Sequence, residues 1–207
     1  MRRKKQEDES QNNMIFPLSS IRTIKSTRRI AREKVLQVLF AYFISGTSIE
    51  ELLKDIFSRD YNFEGGVVEK DDTQNFYRRH VLTKEEIEEI DADATIIWRD
   101  EDIEFAKILI RKVVENQEFI IDILKKISIN WEYDRISIID RTLIMIAVVE
   151  FIYCSEVPVK VSINEVINIS KIYSTDKSTV FINGILDKFL VYLKENDKIH
   201  KTGRGID

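Results

Sequence analysis

Cysteine, histidine, proline and glycine are all scarce in this chain: one, two, two and six residues in 207. Cys154 stands alone, so no disulfide can form within the chain, and a reducing, cytoplasmic setting is expected. His80 and His200 are far apart and have no cysteine companions, which leaves no zinc-ligand spacing. So few prolines and glycines argue against a loop-rich or repeat-built β fold. The longest apolar run, 143–154, is broken by Glu150. A membrane span needs roughly 20 apolar residues, so no membrane insertion is expected. Arg2-Arg3-Lys4-Lys5 is basic, but no apolar core follows it as a secretory signal requires. There is no glycine-rich phosphate loop, no His-Glu-x-x-His zinc pattern and no nucleophile elbow. The expectation is a protein without catalysis, cofactor or metal.

What is present fits a soluble globular protein with one sizeable core: 43% hydrophobic and 33% charged residues. The net charge of −4 hides an uneven distribution. Residues 1–32 hold nine basic side chains against three acids, a difference of +6. Residues 85–93 and 100–104 are acidic. A basic end on an acidic body allows a local anion-binding face. Four segments are expected: a mobile, polar N-terminal arm (1–24), a helical domain (25–195), an acidic surface insertion within it (58–102), and a frayed polar tail (196–207).

Helical spacing recurs along the domain. The first helix is expected over 27–44, capped by Ser26 or Thr27 and stopped by Gly46. Its stripe of Ala31, Val35, Val38, Leu39 and Tyr42 leads back to Arg32 and Arg28. The first turns are therefore expected to overhang the core and show guanidinium groups to solvent or a ligand. Ser48 and Glu51 form a capping-box pattern for the next helix, to about 57. A short acidic helix is expected over 84–90. Three more follow at 103–114, 117–127 and 137–154, the first with Ile103, Ala106, Leu109, Ile110, Val113 and Val114 inward. Asp140 and Glu150, in an otherwise apolar helix, are expected to pair with Arg135 or Arg141 or to cap backbone. The C-terminal pair spans 157–190. Ser162 and Glu165 suggest a capping box after Pro158, and the polar break 174–178 offers several caps. The last helix is apolar around most of its circumference and is expected to lie centrally. Gly184 within it is expected at a close helix contact, because glycine costs about 1 kcal/mol against alanine there. Strand-like alternation does not persist outside the insertion, so the fold class is all-α.

The most specific wording lies near the C-terminus: Pro158-Val159-Lys160-Val161-Ser162-Ile163-Asn164-Glu165, then Phe181-Ile182-Asn183-Gly184-Ile185-Leu186-Asp187-Lys188. Earlier come Trp131-Glu132-Tyr133-Asp134-Arg135, Asp140-Arg141-Thr142-Leu143-Ile144 and Glu150, and before them Arg28-Arg29-Ile30-Ala31-Arg32-Glu33. These runs, in this order, resemble the NusB family of bacterial transcription antitermination factors. The resemblance covers about 27–57 and 103–193, and leaves the arm and the insertion outside.

The resemblance implies an all-α bundle of about seven helices in two subbundles. It implies recognition of boxA RNA in ribosomal RNA leader transcripts, a heterodimer with the ribosomal protein NusE, and a place in the RNA polymerase antitermination complex. Arg28, Arg29 and Arg32 match the family's arginine-rich helix start, while Ile30 stands where an arginine is often found. Arginine suits phosphate because its planar fork donates paired hydrogen bonds. Phe40, Phe119 and Phe181 fall where the family places aromatics at or near the RNA, although a core role fits each equally well. The helix 137–154, with Asp140 and Glu150, is a candidate partner surface. Two other readings stay open. One is a non-catalytic helical module that binds a partner or self-associates, for example as a homodimer. The other is the helical part of a ribosomal RNA cytosine methyltransferase, which needs a following cofactor domain and a catalytic cysteine that these 207 residues do not hold.

Overall fold

The computed structural model describes residues 23–57, 95–128 and 132–206. The chain divides into two compact units, Met1–Ile24 with Tyr61–Ile96, and Lys25–Asp60 with Ile97–Asp207. Nearly all described residues belong to the second. The expected helix at 84–90, the arm up to residue 22 and Trp131 lie outside the described residues.

Seven α-helices appear among the described residues: α1 (Arg28–Ser45), α2 (Ile49–Phe57), α3 (Asp100–Glu115), α4 (Gln117–Ile127), α5 (Ile138–Tyr153), α6 (Val159–Tyr173) and α7 (Asp176–Glu195). The fold is all-α, as the sequence led us to expect. Two three-residue strands, β1 (Thr23–Lys25) and β2 (Thr95–Ile97), add a small ladder that the sequence did not announce. Three residues are too few for alternation to register as a pattern.

Local chemistry explains the helix ends. Thr27 Oγ1 accepts the Ile30 amide, Ser137 Oγ the Asp140 amide, and Thr175 Oγ1 the Ser178 amide. Gly46, at φ 69°, closes α1 in the left-handed region and sends its N–H to the Tyr42 carbonyl. The proposed capping box after Pro158 is not one. Pro158 itself is the N-cap, and Ser162 is buried four residues further on.

The central helix is α5, not α7. Eleven of its sixteen residues are buried, from Asp140 to Phe151, and it packs on α1, α3, α6 and α7. A helix apolar on every side must be covered on every side. By contrast α7 buries Ile182, Ile185, Leu186, Phe189 and Leu193 on one face and exposes Val180 and Val191 on the other. Gly184 lies on that outer face; a Cβ added to it would meet nothing within 4 Å. The expected close helix contact is therefore absent.

The α3 face is also turned from the expected one. The helix starts at Asp100, inside the expected insertion, and buries Asp102 and Phe105 with Ala106, Leu109, Ile110 and Val113. Ile103 and Val114 are only half-buried. The segment after α7, expected to fray, is folded: Ile199 packs on the core and Gly203–Ile206 forms a short 3-10 turn.

Candidate nucleic-acid interface

The first two turns of α1 carry three arginines, and the structure separates them. Arg32 continues the stripe Ala31, Val35, Leu36 and Leu39, and is only 2% exposed. The expectation that its guanidinium meets solvent or a ligand is corrected. The core takes in Arg32 beside Ala31, a charged position that the apolar stripe alone did not include. A carboxylate from the central helix makes that possible. Arg32 Nε lies 2.6 Å from Glu150 Oε1, and its Nη2 lies 2.8 Å from Oε2. Ser162 Oγ donates to the same Oε2 at 2.7 Å. Arg32 Nη1 donates to the Arg28 carbonyl at 3.2 Å and lies 4.0 Å from Glu165. Burial opposes the charge on Arg32, but the hydrogen bonds and field of Glu150 outweigh it and hold the group above its ordinary pKa.

Glu150 thus pairs with Arg32, not with Arg135 or Arg141, and is fully buried. Asp140 is 4% exposed and accepts from Ser174 Oγ at 2.6 Å. Neither carboxylate is free to meet a partner protein, so that expectation is corrected as well. Arg141 stacks on Tyr133 at 4.6 Å, and Arg135 faces Glu132 at 3.9 Å.

Arg28 and Arg29 remain at the surface, with 43% and 47% of their side chains exposed. Arg29 reaches Glu33, at 3.3 Å. Arg28 is held more firmly. Its guanidinium lies 4.4 Å over the Phe105 ring, its Nη1 donates to the Glu101 carbonyl at 2.9 Å, and its Nε lies 3.5 Å from Asp102. Asp102 is fully buried and also receives Ser26 Oγ at 2.6 Å and Arg99 Nε at 2.8 Å. The Arg32 guanidinium also lies over the Phe105 ring, 5.1 Å from its centre. The sequence reading missed Phe105, Asp102 and Ser162. The signal for the first two was the run 102, 105, 106, 109, 110, 113, which keeps helical spacing better than a stripe beginning at Ile103.

The three candidate aromatics sit on three helices. Phe40 is half-buried on α1, and Phe181 is half-buried on α7 against the core. Phe119, on α4, is 37% exposed. Arg28 and Arg32 stack instead on Phe105. Among the described residues, no group of three or more His, Cys, Asp or Glu side chains could hold a metal ion. A cleft of about 170 Å³ lies between Phe43, Gln117, Tyr133, Ile138, Arg141, Thr142 and Met145. It is smaller than the ~300–1,000 Å³ of ordinary cofactor sites. No described helix is long and apolar enough to cross a membrane.

Comparison with known proteins agrees with this architecture. The NusB family profile matches residues 67–191. The chain is 34% identical to the transcription antitermination protein NusB of Chloroherpeton thalassium over 180 residues, 87% of this chain and 69% of that protein. NusB of T. maritima shares the fold with a TM-score of 0.56 at 26% identity, over 80% of this chain and 92% of the other. A structure of the antitermination factors NusB and NusE in complex with double-stranded RNA superposes with a TM-score of 0.56. It is 20% identical over 80% of this chain and 96% of that one, which speaks to fold alone. A profile match over more than half of the chain and a relative at this identity leave one assignment: the chain belongs to the NusB family of transcription antitermination proteins.

Proposed function

We propose that this protein acts in the cytoplasm as an RNA-binding antitermination factor. It recognises boxA of ribosomal RNA leader transcripts together with NusE, within the RNA polymerase antitermination complex. It works by binding, without catalysis or cofactor. The observation that carries this reading is the pair of half-exposed guanidinium groups at the start of α1, Arg28 and Arg29, of which Arg28 is held over Phe105 and beside Asp102, with Arg32 bonded to its carbonyl. Two forks at a helix N-terminus offer phosphate both charge and donors. The rigid support lowers the entropy lost on binding. Arg32 acts in this reading as a positioning residue. The similar protein found with NusE and double-stranded RNA supports the partner assignment.

The test is a titration of boxA RNA, with and without NusE, across a range of salt. Each phosphate contact on a single strand contributes about 0.7 to the slope of log K against log salt. Replacing Arg28 and Arg29 by alanine should lower that slope by about 1.4 and weaken binding, with little change in base preference. An unchanged slope would reject the start of α1 as the RNA contact.

A further inference from the structure

The segment that follows α7 is fastened across the end of α5. Asp197 takes φ 50°, turning the chain back, and the Lys198 amide donates to the Leu193 carbonyl at 2.9 Å. Ile199 packs on the core. Lys201 Nζ donates to the Glu150 and Cys154 carbonyls, each at 2.9 Å. An ammonium group there satisfies carbonyls of the last helical turn and meets the negative end of the helix dipole. The Thr202 amide donates to the Ser155 carbonyl at 3.0 Å. Gly203 has φ 53°, and Gly205 is buried so closely that a Cβ would overlap the Ser155 carbonyl oxygen. This is a docked strap, and its fastening uses backbone groups, one lysine and one apolar side chain.

Its other cations are left over. Lys198, His200 and Arg204 are exposed, and none pairs with an acid among the described residues. The strap is linked to the arginine-bearing start of α1 through one residue of α5. Glu150 joins the two: its carboxylate binds Arg32 and its carbonyl binds Lys201. The acids built into this end, Asp102 and Glu150, are buried and already matched to arginines. On the strap itself Lys198, His200 and Arg204 face outward, with the exposed carboxylate of Asp197 beside Lys198.

We propose that the strap is a second phosphate-binding element, in which Lys198, His200 and Arg204 extend the RNA face begun by Arg28 and Arg29. It rests on the RNA-binding reading above. An RNA strand held at α1 continues over the strap, whose docking by Gly205 and Lys201 orders it before the ligand arrives. Phosphate is the fitting ligand because the cations are spaced along a fixed backbone.

The experiment uses the full chain with Lys198, His200 and Arg204 replaced by alanine. Its melting temperature should match the parent, since none of the three fastens the strap. Affinity for boxA RNA at 50 mM salt should fall roughly tenfold, and the salt slope should drop by about 1.4, two contacts for the lysine and arginine. A second variant, Gly205→Val, undocks the strap with its cations intact. It should weaken RNA binding and lower the melting temperature together. Unchanged affinity and slope in the triple variant would overturn the proposal, whatever Gly205→Val does. Loss of NusE binding with an unchanged RNA titration would overturn it too, assigning the strap to protein. A parent chain that binds no RNA at any salt would instead sink the RNA reading itself. Loss of slope in Arg28→Ala/Arg29→Ala alone would leave that reading standing without the strap.

Discussion

Arg32 shows how much one side chain depends on what lies across from it. It is charged, yet it is among the largest fully buried side chains. Removing one member of a buried, hydrogen-bonded pair leaves the other charge stranded, at a cost of about 3–5 kcal/mol. Arg32→Ala and Glu150→Ala should each lose that much in urea unfolding. The double variant should lose clearly less than the sum, because the two groups are coupled. A loss below 1 kcal/mol for Arg32→Ala would mean the guanidinium is solvated after all. Cys154 gives a second residue-scale test. Burial, and then the nearby Glu150, push its thiol from 9.0 up to about 12. Below pH 9 the thiol is protonated in both folded and unfolded chains. Between 9 and about 12 the unfolded chain releases its proton and the folded chain does not. The stability this group contributes is therefore full below pH 9 and is lost as pH rises through that window. Lys201 acts in the opposite sense, since burial lowers its pKa from 10.5. Comparing the parent with Cys154→Ala isolates the thiol. The variant should lose less stability between pH 9 and 11, and parallel curves would show the thiol to be solvated.

At the scale of the helix, periodicity located each element well and its buried face less well. The ends of α1, α4 and α5 fall within a residue or two of the expected ones, because capping residues and left-handed stops are local chemistry. On α3 the true face is rotated by part of a turn, since Phe105 and Asp102 are inward. A charged residue at an inward position is unreadable from pattern alone; Asp102 is buried because Ser26, Arg28 and Arg99 converge on it. On α7 the apolar excess was misleading in the other direction. Val180 is 74% exposed and Val191 56%, so the helix lies at the edge of the bundle, with α5 in the middle. Gly184 shares that outer face, where its lack of a side chain relieves no contact. Gly184→Ala should therefore stabilise the protein by about 1 kcal/mol in thermal or chemical unfolding. A destabilised variant would restore the close-contact explanation.

For the whole molecule, the core among the described residues runs from Ala31 on α1 to Leu193 on α7. Residues 61–81 belong to the other compact unit. Replacing 60–81 by a short Gly/Ser linker should therefore lower stability only slightly, because loop-closure entropy depends weakly on length. A single cooperative transition in chemical unfolding should persist, and its loss would place those residues in the core.

The amino-acid sequence on its own determined the fold class, most helix positions, the family and the arginine-rich start of α1. These rest on helical spacing, capping residues and motif order, all of which act over a few residues. The tertiary structure decided which of those arginines is available. Arg28, Arg29 and Arg32 look alike in a list, and only the arrival of Glu150, 118 positions away, converts Arg32 into a buried brace. It likewise decided that Asp140 and Glu150 hold the fold, that α5 is central, and that the residues after α7 form a docked strap. Each of these depends on a group distant in sequence that satisfies a charge or covers a face, and spacing along one segment carries no record of that group.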